Sequence, residues 1–230
     1  MCSAKITKIS IFAMIMCNVL YIHGMGGGGD SRVPSILKDY FAVTREKENV
    51  NVVVRTYDFD PEVAHEQIKA WVSELSPRIV IGESLGSIHA IRIAGVPHIL
   101  ISPSLNAPLY FGYLSWLALI PGVSLLLDMI YRPKEGDRQK LHFSFRTLSK
   151  YRMHRKLALA NSSLAGSHDL FHAFIGLRDH YRHSGIVSLK TWRKYFGDTC
   201  TLYDGTHFTE EEYIFSLVIP KICDILGIKQ

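Results

Sequence analysis

A chain of 230 residues that is 47% hydrophobic and 20% charged is long enough to bury one sizeable core and too apolar to remain disordered. Its four cysteines, Cys2, Cys17, Cys200 and Cys223, form no C-x-x-C pair, which argues against a zinc cluster or dense disulfide framework and favours a reduced compartment. The net charge of +5 is concentrated in residues 132–156, where nine Lys/Arg face two acids, so the basic character does not indicate a nucleic-acid-binding protein.

The first 17 residues are ambiguous. Lys5 and Lys8 precede an apolar run over 9–17, as in the n- and h-regions of a signal peptide. No A-x-A-like site follows, and Met14, Ile15 and Met16 are too large for a lipoprotein cleavage site. The run also flows into Asn18 to Ile22, which is needed as a core strand. Residues 1–17 are therefore expected to form an extension or signal-like segment before a domain spanning 18–230, with Met14 or Met16 a sensible start for that domain. The expected location is cytoplasmic; export or membrane association is the alternative if the segment acts as a signal.

Beyond it, short apolar runs alternate with helical patterns, the mark of βαβ units around a parallel sheet. Residues 19–22 read as a strand ending at His23-Gly24, and 33–41 as a helix with Ser31 a candidate N-cap. Residues 52–57 are β-branched and bounded by Asp58 and Pro61, hence a strand; 63–75 carry Val63, Ile68, Val72 and Leu75 near helical spacing. A strand over 79–81 leads into a tight turn and a helix through Ile93, and 98–101 form a further strand ending at Ser102-Pro103.

The alternation then breaks. Residues 109–163 show no strand and are expected to form a helical cap or lid insertion. Their apolar half, 109–131, is long enough to cross a bilayer. Gly112, Pro121-Gly122 and Asp128 oppose one straight span, and flanking strands of one sheet cannot lie on opposite sides of a membrane. The apolar half is expected instead to line a cleft. The basic half forms either a solvated face or an attractor for an anionic substrate or lipid surface. Strands over 171–175 and 200–203 flank a helix over 187–196. Thr209-Glu210-Glu211-Glu212 has the spacing of a capping box for a C-terminal helix that Pro220 kinks or splits.

Chemistry concentrates at strand ends. Gly82-Glu83-Ser84-Leu85-Gly86 fits G-x-S-x-G between a strand and a helix. In that context the serine sits in a strained turn with its hydroxyl exposed at the carboxyl end of the sheet. A serine is a weak nucleophile and needs a base, oriented in turn by a third group. His207 follows the last strand and Asp179 follows the strand before it, so Ser84, Asp179 and His207 occur in the order and loops such a triad requires. Asp169 and Asp204 remain open as orienting acids. An oxyanion hole is expected from the backbone N–H groups of Leu85 and of Met25, the latter in the loop His23-Gly24-Met25-Gly26-Gly27. His23, Gly24 and Gly26 of that loop are expected at the substrate. The glycine run lacks the lysine of a phosphate-binding P-loop. His168, Asp169, His172, His180 and His183 could ligate a metal only if His168 and His172 shared a helix, and the strand over 171–175 separates them; no metal is expected.

Together the residues at 20–25, the elbow at 82–86, Ile101-Ser102-Pro103-Ser104, Gly176-Leu177-Arg178-Asp179 and Asp204-Gly205-Thr206-His207-Phe208 resemble the α/β-hydrolase superfamily, most of all small bacterial YqiA-type esterases. Ser87, where a second glycine is common, and the long 109–163 stretch are departures. The resemblance implies a mainly parallel sheet with helices on both faces, to which the 109–163 stretch is expected to add a helical cap insertion. It also implies a serine hydrolase that cleaves small carboxylic-ester-like substrates through an acyl-enzyme, with no cofactor; given the charge distribution, no nucleic-acid partner is expected. Thioester hydrolysis, acyl transfer and a non-catalytic binding protein on the same fold are the alternatives, and weak membrane-surface contact through 109–156 is a further expectation.

Overall fold

The computed structural model describes residues 16–43, 49–132, 135–162 and 168–228, so nearly all of the signal-like segment lies outside the described residues. Six strands, β1 (Cys17–Ile22), β2 (Val50–Val54), β3 (Ile79–Glu83), β4 (His98–Ile101), β5 (Phe171–Gly176) and β6 (Cys200–Tyr203), form one parallel sheet in the order β2-β1-β3-β4-β5-β6. Successive side chains of a strand point to opposite faces, and both faces of the central strands are buried, which is why 19–22, 79–81 and 99–101 read as unbroken apolar runs, whereas the edge strand β2 exposes Asn51. Leu20 and Ile22 of β1 enter one core cluster, whereas Val19 and Tyr21 enter the other.

Helices cover both faces. On one side α2 (Pro61–Leu75), α3 (Gly86–Ile91), α6 (Phe145–Asn161) and α7 (Leu189–Phe196) bring Ile68, Ile88, Tyr151 and Trp192 against the sheet. On the other, α1 (Arg32–Val43) and the C-terminal helical run contribute Leu37, Phe41, Val218 and Ile222. α2 begins as its sequence demands: Asp60 caps it by accepting from the Glu62 N–H at 3.0 Å, and Pro61 opens the first turn.

Several local expectations are corrected. Ser31 precedes α1, but its hydroxyl accepts from the Gly28 N–H and so closes the glycine-rich loop. Thr209 does not cap the C-terminal run; it adopts a φ of 36° and shares a 2.8 Å hydrogen bond with the Tyr203 hydroxyl, leaving Glu210 at the cap position. That run consists of α8 (Glu211–Tyr213), a π-helical turn (Ile214–Val218) and α9 (Ile219–Leu226). Pro220 lacks an N–H and its ring would strike the carbonyl four residues back, and the wider turn preceding it absorbs the conflict.

The stretch expected as a cap divides in space. α4 (Ala107–Leu117) packs along α6, and α6 carries Leu148, Tyr151 and Ala158 into the same cluster as α2 and α3, so its second half is part of the helical layer. Between them, α5 (Val123–Ile130) buries no residue. No helix of the described residues is long and apolar enough to cross a membrane.

Candidate active site

β1 is flanked by β2 on one side and β3 on the other, so the chain changes winding direction between β1 and β3, where an open α/β sheet forms a crevice at its carboxyl end. Ser84 stands there. Its φ of 49° is left-handed, a conformation costly for a non-glycine residue and held only because the surroundings over-determine it. The Ser84 N–H donates to the Ile101 carbonyl at 2.9 Å, while its own carbonyl accepts from the N–H groups of Ser87 and Ser104. Gly86 allows α3 to start against the end of β1, since a Cβ there would collide with the carbonyls of Ile22 and His23. The departure at Ser87 is accommodated: its hydroxyl donates to the Gly82 carbonyl at 3.1 Å.

The three residues expected to act together lie together. The His207 Nδ1–H donates to Asp179 Oδ2 at 2.7 Å, and the Ser84 hydroxyl donates to His207 Nε2 at 2.9 Å. Asp179 is 1% exposed and His207 4%, so the pair is shielded from water. The second Asp179 oxygen accepts from the Tyr181 N–H at 2.8 Å, which fixes the carboxylate. Of the other acids weighed for this role, Asp204 is exposed and paired with Arg178, and Asp169 is exposed in the short turn before β5. Arg32 Nη2 donates to the carbonyls of Phe208 and Thr209, tying the loop that carries His207 to the start of α1.

Ser84 and His207 open into a cavity of about 420 Å³. Met25 and Leu85, whose backbone N–H groups were expected at an oxyanion hole, both line it, as do Gly24 and Gly26. A Cβ on Gly24 would come within 3.2 Å of Ser84 Cβ, so glycine there keeps the loop against Ser84. His23 is placed differently. It is fully buried, stacks on Tyr57 at 4.3 Å between ring centroids, and its carbonyl accepts from the Tyr57 hydroxyl. It shapes the loop from behind and does not face the cavity. Phe111, Ile186 and Val33 supply apolar wall.

Two residues escaped the sequence reading. Ser104 shares a 3.0 Å hydrogen bond with the Ser84 hydroxyl; the Ser102-Pro103-Ser104 turn after β4 was the available signal. Glu83 lines the cavity and accepts from the Tyr21 hydroxyl at 2.7 Å; burial pushes its carboxyl up. Among the described residues no cluster of three His, Cys, Asp or Glu could hold a metal ion. Only a short turn, His168–Leu170, precedes β5, and His172 on that strand bonds to Thr201 Oγ1.

No protein-family model matches the chain, and no curated protein matches it by sequence. Solved structures do. Est1E from Butyrivibrio proteoclasticus superposes with a TM-score of 0.59 at 15% identity over 93% of this chain and 90% of that one. A structure of the metagenome-derived lipolytic enzymes LipS and LipT gives 0.58 at 15% identity, over 93% and 94%. A carboxylesterase of the thaumarchaeon Nitrososphaera gargenis gives 0.52 at 12%, over 93% and 92%.

Proposed function

On the α/β-hydrolase fold that these structural neighbours share with it, we propose that the chain is a serine hydrolase of carboxylic esters, acting through Ser84, His207 and Asp179. The observation that carries this reading is the continuous chain of hydrogen bonds from Asp179 to His207 to Ser84, at 2.7 and 2.9 Å, ending in an apolar cavity. With Nδ1–H held by Asp179, the His207 Nε2 lone pair faces the serine hydroxyl, the tautomer that a general base needs.

The steps follow from that geometry. His207 Nε2 takes the Ser84 proton as Oγ bonds to the ester carbonyl carbon, and the carbonyl electrons move onto oxygen. The N–H groups of Met25 and Leu85 receive the oxyanion. Collapse breaks the bond to the alkoxy oxygen, which leaves with the proton from His207. Water then attacks the acyl-enzyme, gives its proton to His207, and the proton returns to Ser84 as the acid departs. The cavity size falls within the range for small-molecule sites and its walls suit an acyl or aryl group.

A fluorophosphonate probe tests the reading directly. One equivalent is expected to label Ser84 and nothing else, identified by peptide mass spectrometry. An intact protein that takes up no probe would leave a binding protein with an idle triad. Ser104 gives a finer expectation. Because the Ser84 proton points to His207, the Ser104 hydroxyl is the donor in their hydrogen bond, and a neutral bond of this kind contributes about 0.5–1.5 kcal/mol. Ser104→Ala should therefore lower kcat roughly 3- to 10-fold with KM little changed; an unchanged kcat would reduce Ser104 to a packing role.

A further inference from the structure

Eleven of the 21 exposed large hydrophobic side chains among the described residues fall between Tyr110 and Tyr131, on α4, α5 and the turn joining them. Tyr113 is 76% exposed, Trp116 65%, Leu125 73% and Met129 67%. A soluble domain rarely leaves so many together without a partner. The patch is also free of available charge. Asp128 is the one ionisable acid or base of residues 107–130, tyrosines aside, and its carboxylate accepts from His142 Nδ1 and the Phe143 N–H, both at 2.7 Å.

Cations surround it. Arg132 follows α5; Arg146 begins α6 beside Phe145, whose ring packs on Trp116 at 5.5 Å; and the Arg152 side chain lies over Gly112 of α4. Lys156 is one turn further along α6. All four are exposed, and none has a carboxylate partner among the described residues. Of the other basic residues described in this segment, Lys150 is paired with Asp60 and Glu62, Arg138 with Asp30, and Arg155 bonds to the Leu105 carbonyl and Asn106 Oδ1, while Lys140 is exposed.

We infer that the α4–α5 face docks on a bilayer surface bearing anionic phospholipids, with its apolar side chains entering the interface and the flanking cations meeting headgroups. A two-fold contact between copies through this face would bring like-charged rims together, which disfavours a dimer. Aromatic residues with one polar end, such as Tyr113 and Trp116, suit the boundary between hydrocarbon and water. The surface also continues into the site: Ala107 and Phe111, on the same helix α4, line the cavity at Ser84. Resting on the esterase reading for this clause alone, the substrate class is an ester whose acyl chain is drawn from the membrane.

Co-sedimentation of the full chain with vesicles decides the point. Binding is expected to vesicles containing roughly one third phosphatidylglycerol in phosphatidylcholine, to be far weaker with phosphatidylcholine alone, and to weaken as salt rises from about 0.05 to about 0.5 M. Each basic side chain near such a surface strengthens partition about fivefold, so Arg146→Glu/Arg152→Glu/Lys156→Glu should lower it about 100-fold or more. Leu125→Asp/Met129→Asp, which alters only exposed positions, should abolish it. Both variants should keep wild-type thermal stability and turnover of soluble p-nitrophenyl acetate, while losing hydrolysis of a vesicle-borne long-chain ester. Binding is measured in Ser84→Ala as well; if that variant binds but the wild type hydrolyses nothing, docking stands and the esterase reading falls. Absence of binding to anionic vesicles, binding that both variants retain, or a concentration-dependent dimer that Leu125→Asp/Met129→Asp dissociates would overturn the proposal.

Discussion

Replacing Ser84 by alanine should reduce kcat for p-nitrophenyl acetate by about 10⁴–10⁶-fold while the protein stays folded. On the proposed mechanism the nucleophile is then lost, and water must attack without an acyl-enzyme, aided only by the proposed oxyanion donors and by binding. His207→Ala should cost about as much, because a neutral serine at its ordinary acidity is inert without a base 2.9 Å away. Groups that act as one unit do not contribute additively, so the double variant should be scarcely slower than either single one. Independent, multiplying losses would mean that Ser84 and His207 act separately. Retention of most activity by Ser84→Ala would remove the proposed mechanism. Thermal melts of all three proteins check that the fold is intact; the hydroxyl at Ser84 is not what holds its strained backbone, since the bonds to Ile101, Ser87 and Ser104 run through backbone atoms.

Folding stability should fall steeply as the pH drops from about 6.5 to about 4. Behind the site, burial lowers His89 to about 3 and His23 to about 4, and burial likewise lowers His98, beneath α3, to about 4. His89 lies 4.6 Å from the His154 ring and 5.0 Å from Tyr57, and the nearby charges of His23, His65 and Arg92 also oppose its protonation. His154 is itself held neutral by burial, and its Nδ1 accepts from Arg92 at 2.9 Å. The sign follows from proton counting. Below about 6.5 the unfolded chain binds protons on these side chains that the folded chain refuses, so each group removes about 1.4 kcal/mol of stability per pH unit until its folded value is reached. Above 6.5 both states are neutral and the contribution vanishes.

His89→Leu isolates one member of this set. Among the described residues neither ring nitrogen of His89 has a hydrogen-bond partner, so an apolar side chain of similar size strands no polar group there. Between pH 7.5 and 4.5 the wild type should lose roughly 2–3 kcal/mol more than the variant, read from urea midpoints at the two pH values. Equal losses would mean that His89 is protonated, or solvated, in the folded state.

Much of this was legible in the chain. The strands at 79–81 and 98–101 were evident because central strands buried on both faces need mostly apolar residues, and those at 171–175 and 200–203 because short apolar runs alternate with helical patterns in a parallel sheet. The elbow was legible because a strained serine needs small neighbours on both sides, and that steric demand leaves a local signature. His207, and Asp179 as the favoured acid, followed from position: in a parallel sheet every strand delivers its next loop to the same edge.

What the sequence left open required three dimensions. Position favoured Asp179 over Asp169 and Asp204 but left all three open, and only the 2.7 Å contact with His207 singles out Asp179. Ser104 is an ordinary turn residue until β3 and β4 pair and bring its hydroxyl to Ser84. His23 looked like a cavity residue because of its loop, yet the Tyr57 ring behind that loop holds it inward. Residues 109–163 gave one composition signal for two fates: α6 entered the core layer, whereas α5 stayed outside. The local pattern specified which residues are apolar and where the chain turns, since both depend on neighbours within a few positions. Which apolar face finds a covering surface, and which side chains meet at the strand ends, depends on contacts between residues as far apart as Ser84 and His207, which only the folded chain brings within 3 Å.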